Sequence, residues 1–239
     1  MSGPTNLMHR PGHPHLAIEV RALSTLSGAR ATLRDLTFSV PRGTLAAVIG
    51  PGGSGKTTLM KLLAGHLTPT GGRIRLCGID IRTARLELSS RVGYVPAHGP
   101  RCGQMPLGEL LAFSARARQV EASTLDLHLR DIATRCDLAH ALSTPFGELD
   151  AASHRLAALA LALLHGPDVL LLDAYLDGLD AAATLRLDRV LAGLRGAHTV
   201  LLTGTHDVLW GLPADQVLRL DAGRLVSSHD TGVARPAMI

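Results

Sequence analysis

The sequence predicts an α/β fold organised around a phosphate-binding loop, and three observations predict it. Gly50-Pro51-Gly52-Gly53-Ser54-Gly55-Lys56-Thr57-Thr58 carries the pattern G-x-x-x-x-G-K-[ST] between an apolar run, 45–49, and a helix-like segment, 58–64. Strand-like and helix-like apolar periods alternate along most of the chain, as they do where helices cover a largely parallel sheet. Val169-Leu170-Leu171-Leu172 is a continuous apolar strand that ends on the carboxylate of Asp173. In such folds the ligand sits outside the carboxyl ends of the strands.

The residue types of the loop state its chemistry. Glycines let successive N–H groups turn toward one anion, and the positive end of the following helix adds to their field. Lys56 is expected to reach the outer phosphates of a nucleotide, and the Thr57 hydroxyl to ligate the Mg2+ that bridges them. Asp173, ending a strand beside the loop, is expected to hold the same ion through water.

Taken in order, residues 1–15 hold Pro4, Pro11 and Pro14 with His9, His13 and His15 and no periodicity, which predicts a disordered tail. Segments 16–23 and 33–40 show period-two strand character, and Pro41-Arg42-Gly43 turns the chain into the strand before the loop. A turn at 69–72 precedes a short strand, 73–77, and 92–96 is the next strand candidate. From Leu107 to about Leu142 the spacing becomes helical, as at Leu125, Leu129, Ile132 and Cys136, so an inserted helical subdomain is expected at about 98–152. Apolar residues run all round the next helix, Ser153 to Leu164, which predicts its burial. After Asp173 come a helix over 181–194, with Leu187, Val190, Leu191 and Leu194 on one face, and a strand over 199–203. Thr205, His206 and Asp207 follow, then a hairpin, 217–220 and 224–226, with its turn at Asp221-Ala222-Gly223. Residues 16–230 are read as one domain and 231–239 as a tail.

Composition narrows the class. Apolar residues make up 46% and aromatics 3%, so the core must be Leu, Val, Ile and Ala. The longest apolar run, Leu156 to Leu164, falls short of the roughly 20 residues a bilayer needs, and the prolines interrupt any leader-like segment in 1–15. Cys77, Cys102 and Cys136 show no paired spacing, which argues against a disulfide framework or zinc site and for a reducing compartment. The +4 formal charge comes from basic residues scattered singly, the pattern of a solvated face rather than of a nucleic-acid surface.

From about residue 17 to 228 the chain resembles the nucleotide-binding subunit of ABC transporters. The resemblance is carried by Gly50–Thr58, by Arg91-Val92-Gly93-Tyr94-Val95-Pro96, by the helix before 169–173, by Asp177-Gly178-Leu179-Asp180, by Thr205-His206-Asp207 and by Leu220-Asp221-Ala222-Gly223-Arg224-Leu225. It implies a P-loop NTPase core with a mixed sheet, an N-terminal antiparallel β-subdomain and an inserted helical subdomain. It also implies ATP and Mg2+ as cofactors, an integral-membrane transporter subunit and a second nucleotide-binding domain as partners, and a cytoplasmic location at the inner face of the plasma membrane. Lys56, Thr57, Asp173, Asp180 and His206 stand at the family's phosphate lysine, magnesium hydroxyl, Walker B aspartate, D-loop residue and γ-phosphate-sensing histidine.

Other positions depart from the family. Its water-polarising glutamate is Ala174, and the glutamine after Pro96 is Ala97, followed by His98. The LSGGQ signature falls on Leu149-Asp150-Ala151-Ala152-Ser153, counted back from His165-Gly166-Pro167. No aromatic lies near Ser27 to stack on adenine, and Tyr175-Leu176 replaces the usual Pro-Thr pair. A positioned general base contributes roughly 10²–10⁴-fold, so turnover is expected well below about 1 s⁻¹. Asp150 is expected to oppose the γ-phosphate held by a facing subunit. The expected function is therefore the ATP-binding subunit of an exporter with a separate membrane subunit and weak or absent hydrolysis; the alternative is a non-hydrolysing ATP-sensing module.

Overall fold

Period-two segments at the start of the chain pair with each other as antiparallel strands. The structure is a computed structural model that describes residues 15–27, 30–99, 102–118, 120–121, 123–205 and 214–231. Strands β1 (Leu16–Ser27) and β2 (Arg30–Pro41) are antiparallel, and their register shifts several times. Chain order continues with β3 (Leu45–Ile49), helix α1 (Lys56–Leu63), β4 (Gly71–Leu76), β5 (Ile79–Asp80), α2 (Arg85–Arg91) and β6 (Val92–Val95). The inserted helices are α3 (Leu107–Ala117) and α4 (Leu125–Arg135), followed by 3₁₀ turns at Ala139–Ala141 and Phe146–Glu148. Then come α5 (Ala151–Leu163), β7 (Val169–Leu172), α6 (Ala181–Gly193), β8 (Thr199–Gly204), β9 (Gln216–Asp221) and β10 (Arg224–Asp230).

The strands form a four-stranded antiparallel sheet, β2-β1-β4-β5, and a six-stranded sheet, β10-β9-β3-β8-β7-β6. In the larger sheet β9, β3, β8, β7 and β6 run parallel and β10 returns antiparallel, so the sheet is mixed as expected. A parallel strand covered on both faces must be apolar throughout, and β3, β7 and β8 are buried along their length. Alternate side chains divide between two cores. Ala46, Val48, Val169, Leu171 and Leu201 pack with Leu59, Met60, Leu62 and Leu63 of α1 and with the antiparallel sheet. Leu45, Ala47, Leu170, Leu172, Val200 and Leu202 pack with α3 to α6.

Two elements escaped the sequence reading. Helix α2 buries only Leu88, so it has no apolar period to detect, and β5 is a two-residue strand. Helix α5 starts at Ala151 rather than Ser153, because Asp150 caps it. Among the described residues no helix is long and apolar enough to cross a membrane, and Cys77, Cys102 and Cys136 are free thiols.

Candidate functional site

The phosphate loop joins β3 to α1, and its shape depends on two crowded glycines. A Cβ at Gly50 would lie 2.0 Å from the Leu220 carbonyl oxygen, and one at Gly55, where φ is +106°, would lie 2.6 Å from Leu33 Cδ2. Gly55 is the N-cap of α1; it offers no side-chain cap, and the first turn carries no acid. The helix end is therefore open to an anion from outside. The β9–β10 turn braces the loop: the Gly223 N–H donates to the Ser54 carbonyl at 3.0 Å, and the Gly223 carbonyl accepts from the Arg34 N–H at 2.8 Å. Lys56 folds back, its Nζ donating to the carbonyls of Gly50 (2.7 Å) and Pro51 (3.0 Å).

Beyond the loop lies Asp173, only 1% exposed. Its Oδ1 accepts from Thr57 Oγ1 at 3.2 Å and from Thr203 Oγ1 at 2.7 Å, and the Thr203 hydroxyl in turn accepts the Ala174 N–H at 2.8 Å. Asp173 Oδ2 is buried with no partner among the described residues. Leaving a buried carboxylate oxygen unpaired is costly, so the site is built for a positive group. The Tyr94 phenol is pushed up to about 12, first by burial and then by the Asp173 charge. A hard-oxygen pair, Thr57 and Asp173, next to an anion cradle fits Mg2+ held with a polyphosphate.

The positions flanking this site do other work. Ala174, in the left-handed region at φ +49°, carries no proton acceptor. The Ala97 and Asp177 carbonyls accept from the two terminal nitrogens of Arg155 at 3.2 and 3.3 Å. Tyr175 is fully buried, and its hydroxyl donates to the Arg155 carbonyl at 3.0 Å. Asp177 lies in the turn after β7 and accepts the Thr205 N–H at 3.3 Å. His98 is exposed. Asp180 caps α6 by accepting the Ala183 N–H at 2.8 Å. Asp150 caps α5: its carboxylate is turned onto its own helix, accepting the Ser153 N–H at 2.7 Å, with Arg186 3.7 Å away. Those contacts, led by the Ser153 N–H, hold its carboxyl below the usual range. His206 and Asp207 lie outside the described residues, as does the side chain of Ser27.

Residues 33–175 match the family described as ABC transporter. The chain belongs to that family. An ABC relative, the cobalt import ATP-binding protein CbiO of Rhodobacter capsulatus, is 35% identical over 230 residues, covering 90% of this chain and 78% of that protein. The daunorubicin resistance ATP-binding protein DrrA3 of Streptomyces coeruleorubidus is 30% identical, covering 88% of this chain and 67% of that protein. An ABC transporter ATP-binding/permease protein of Mycobacterium tuberculosis is 32% identical over 86% of this chain, but the chain spans only 24% of that relative. Among solved structures, cbiO1 from Clostridium perfringens, part of the ABC transporter complex cbiONQ, superposes with a TM-score of 0.83 at 22% identity over 90% of this chain and 89% of that one. A nucleotide-free ATP-binding cassette from an ABC transporter gives 0.79 at 19% identity, over 90% and 91%. These two show the shared ABC fold.

Of the predicted residues, the fold brings Gly50–Thr58 and Asp173 together. Sequence reading missed Thr203, Arg155 and Arg186, and it found Tyr175 only as a departure from the family, without its partner. Thr203 had a detectable signal, a hydroxyl ending a strand that pairs with the one before Asp173; the others had none, because their partners are distant in sequence.

Proposed function

We propose that this chain binds ATP with Mg2+ through Gly50–Thr58 and Asp173 and hydrolyses it weakly or not at all. It would work as one ATP-binding subunit of an exporting ABC complex, beside a second nucleotide-binding domain and separate integral-membrane subunits, at the cytoplasmic face of the plasma membrane. The observation that carries this reading is a buried Asp173, one oxygen on the Thr57 and Thr203 hydroxyls and the other without a partner among the described residues, followed directly by Ala174. The first half is a place for a cation; the second supplies no base. Bound Mg2+ contributes charge neutralisation and orientation of the phosphates. With nucleotide bound, Lys56 would leave the Gly50 and Pro51 carbonyls for the phosphates, Thr57 would hold the ion directly and Asp173 through water, and His206 would take the sensing role its family position implies. Residues 16–230 form the functional unit, with the insertion at about 98–152.

A cleft of about 410 Å3, lined by Leu63, His66, Arg85, Leu88, Tyr94 and Arg118, supports docking of a membrane subunit beside the insertion. Leu86, on α2, is 89% exposed and Phe113, on α3, is 65% exposed, which adds apolar surface on the same elements. Export is supported by relatives named for daunorubicin resistance and Nod factor export. Others are named for cobalt and ferric ion import, so transport in vesicles of known orientation is the deciding assay for direction. The ATP-sensing alternative is favoured by the same Ala174.

Calorimetric titration tests the nucleotide reading. ATP and GTP should bind within about tenfold of each other, a spread of only ~1.4 kcal/mol, and Lys56→Ala should abolish both. Phosphate release by the isolated wild type should stay well below about 1 s⁻¹. Ala174→Glu should change this little in the isolated chain yet restore one site with an intact partner, since groups acting as a unit are non-additive. Absence of binding, or equal binding by Lys56→Ala, overturns the nucleotide site; wild-type turnover of about 1 s⁻¹ or more overturns weak hydrolysis alone.

A further inference from the structure

Arg186 projects from α6 and is the point where segments distant in sequence meet. Its Nε donates to Asp137 Oδ2 at 2.5 Å and its Nη2 to the Asp137 carbonyl at 2.6 Å. Its Nη1 donates to Ser153 Oγ at 2.8 Å and stands 3.7 Å from Asp150 Oδ1. Asp137 follows α4 by two residues, in the left-handed region at φ +54°, and the Asp150–Ser153 pair starts α5. One guanidinium, its side chain 22% exposed, thus ties the last inserted helix and the first turn of α5 to a helix that packs on the central sheet. Each guanidinium nitrogen meets a different acceptor, a carboxylate, a hydroxyl and a carbonyl, whereas a lysine ammonium offers its donors from a single point.

We propose that Arg186 is a positioning residue, a clasp that holds the insertion and the start of α5 on the core and keeps Asp150 in place as the built-in anion of that helix end. The α5 N-terminus is then satisfied within its own chain: Asp150 takes the Ser153 N–H, and Arg186 offsets the carboxylate charge. A phosphate carried by a facing subunit gains this helix end only after the clasp opens and Asp150 swings out. The clasp makes the start of α5 the guarded part of the molecule. This deepens the weak-hydrolysis reading and rests on it for its consequence, whereas the clasp itself is measured without nucleotide.

Hydrogen exchange on the full chain without nucleotide tests it. In Arg186→Gln, amides of 137–139 and 151–154 should exchange at least about tenfold faster than in wild type, while those of β3, β7 and β8 stay unchanged, since local opening is independent of global unfolding. Adding Asp137→Asn should produce little further change, because both substitutions break the same contact. Arg186→Lys should restore slow exchange at 151–154 better than at 137–139, as a charge remains near Asp150 but the fork is gone. Should the glutamine variant not fold, wild type in about 1 M salt, where the Debye length is about 3 Å, should show faster exchange in the same two segments. Unchanged exchange there, or an equal rise through the core strands, overturns the clasp; loss of ATP binding by wild type would overturn the nucleotide reading and leave the clasp standing.

Discussion

The starts of α1 and α5 are two helix N-termini with opposite fates. Each presents N–H groups without helical partners, and at each the resemblance to the family implies a meeting with nucleotide phosphate. At α1 the cap is Gly55, no side chain closes the end and no acid lies in the first turn, so the N–H groups face outward. At α5 the cap is Asp150, whose carboxylate already accepts the Ser153 N–H beside Arg186. The same backbone chemistry becomes a receiving site in one place and a closed end in the other. One side chain at the cap decides which.

Gly50→Ala should break the open end most severely. Its Cβ would fall 2.0 Å from the Leu220 carbonyl, a backbone atom of a central strand that cannot step aside. We expect a loss of about 3 kcal/mol or more, overpacking into backbone being at the upper end of its range, with nucleotide binding lost as well. Thermal unfolding together with calorimetry checks both; near-normal stability would mean that the loop does not pass so close to β9.

At the closed end, Asp150→Ala should cost about 0.5–2 kcal/mol, the ordinary price of a lost N-cap. The sign of its pH dependence follows from the lowered carboxyl. Its stabilisation is fully present above the unfolded value of 3.8 and is lost as pH falls through the lower folded value. The difference in unfolding free energy between wild type and variant should therefore be flat at neutral pH and shrink below pH 3.8. A difference growing with acidity would contradict the cap.

Ala174→Gly should have the smallest effect. At φ +49° alanine is strained, so relief of that strain offsets the flexibility glycine adds to the unfolded chain. We expect a change within about 0.5 kcal/mol, against roughly 1 kcal/mol lost for Ala158→Gly inside α5. Equal losses at the two positions would show that residue 174 is not left-handed.

The sequence by itself determined the phosphate loop, the strand ending at Asp173, the apolar strands of a covered sheet and the burial of α5. Each is written in a run of adjacent residues, as a glycine spacing, a period or an uninterrupted apolar stretch, and local sterics and burial act on such runs directly. Ala174 and Ala97 were legible for the same reason, as departures at fixed offsets from recognisable motifs. Tertiary structure alone decided that Tyr175 is buried against the Arg155 carbonyl and that Arg186 reaches Asp137, Ser153 and Asp150. Those contacts join residues 20 to 49 positions apart. A hydrogen bond needs its partners within about 3 Å, and only the packing of α4, α5 and α6 over the sheet brings these side chains that close.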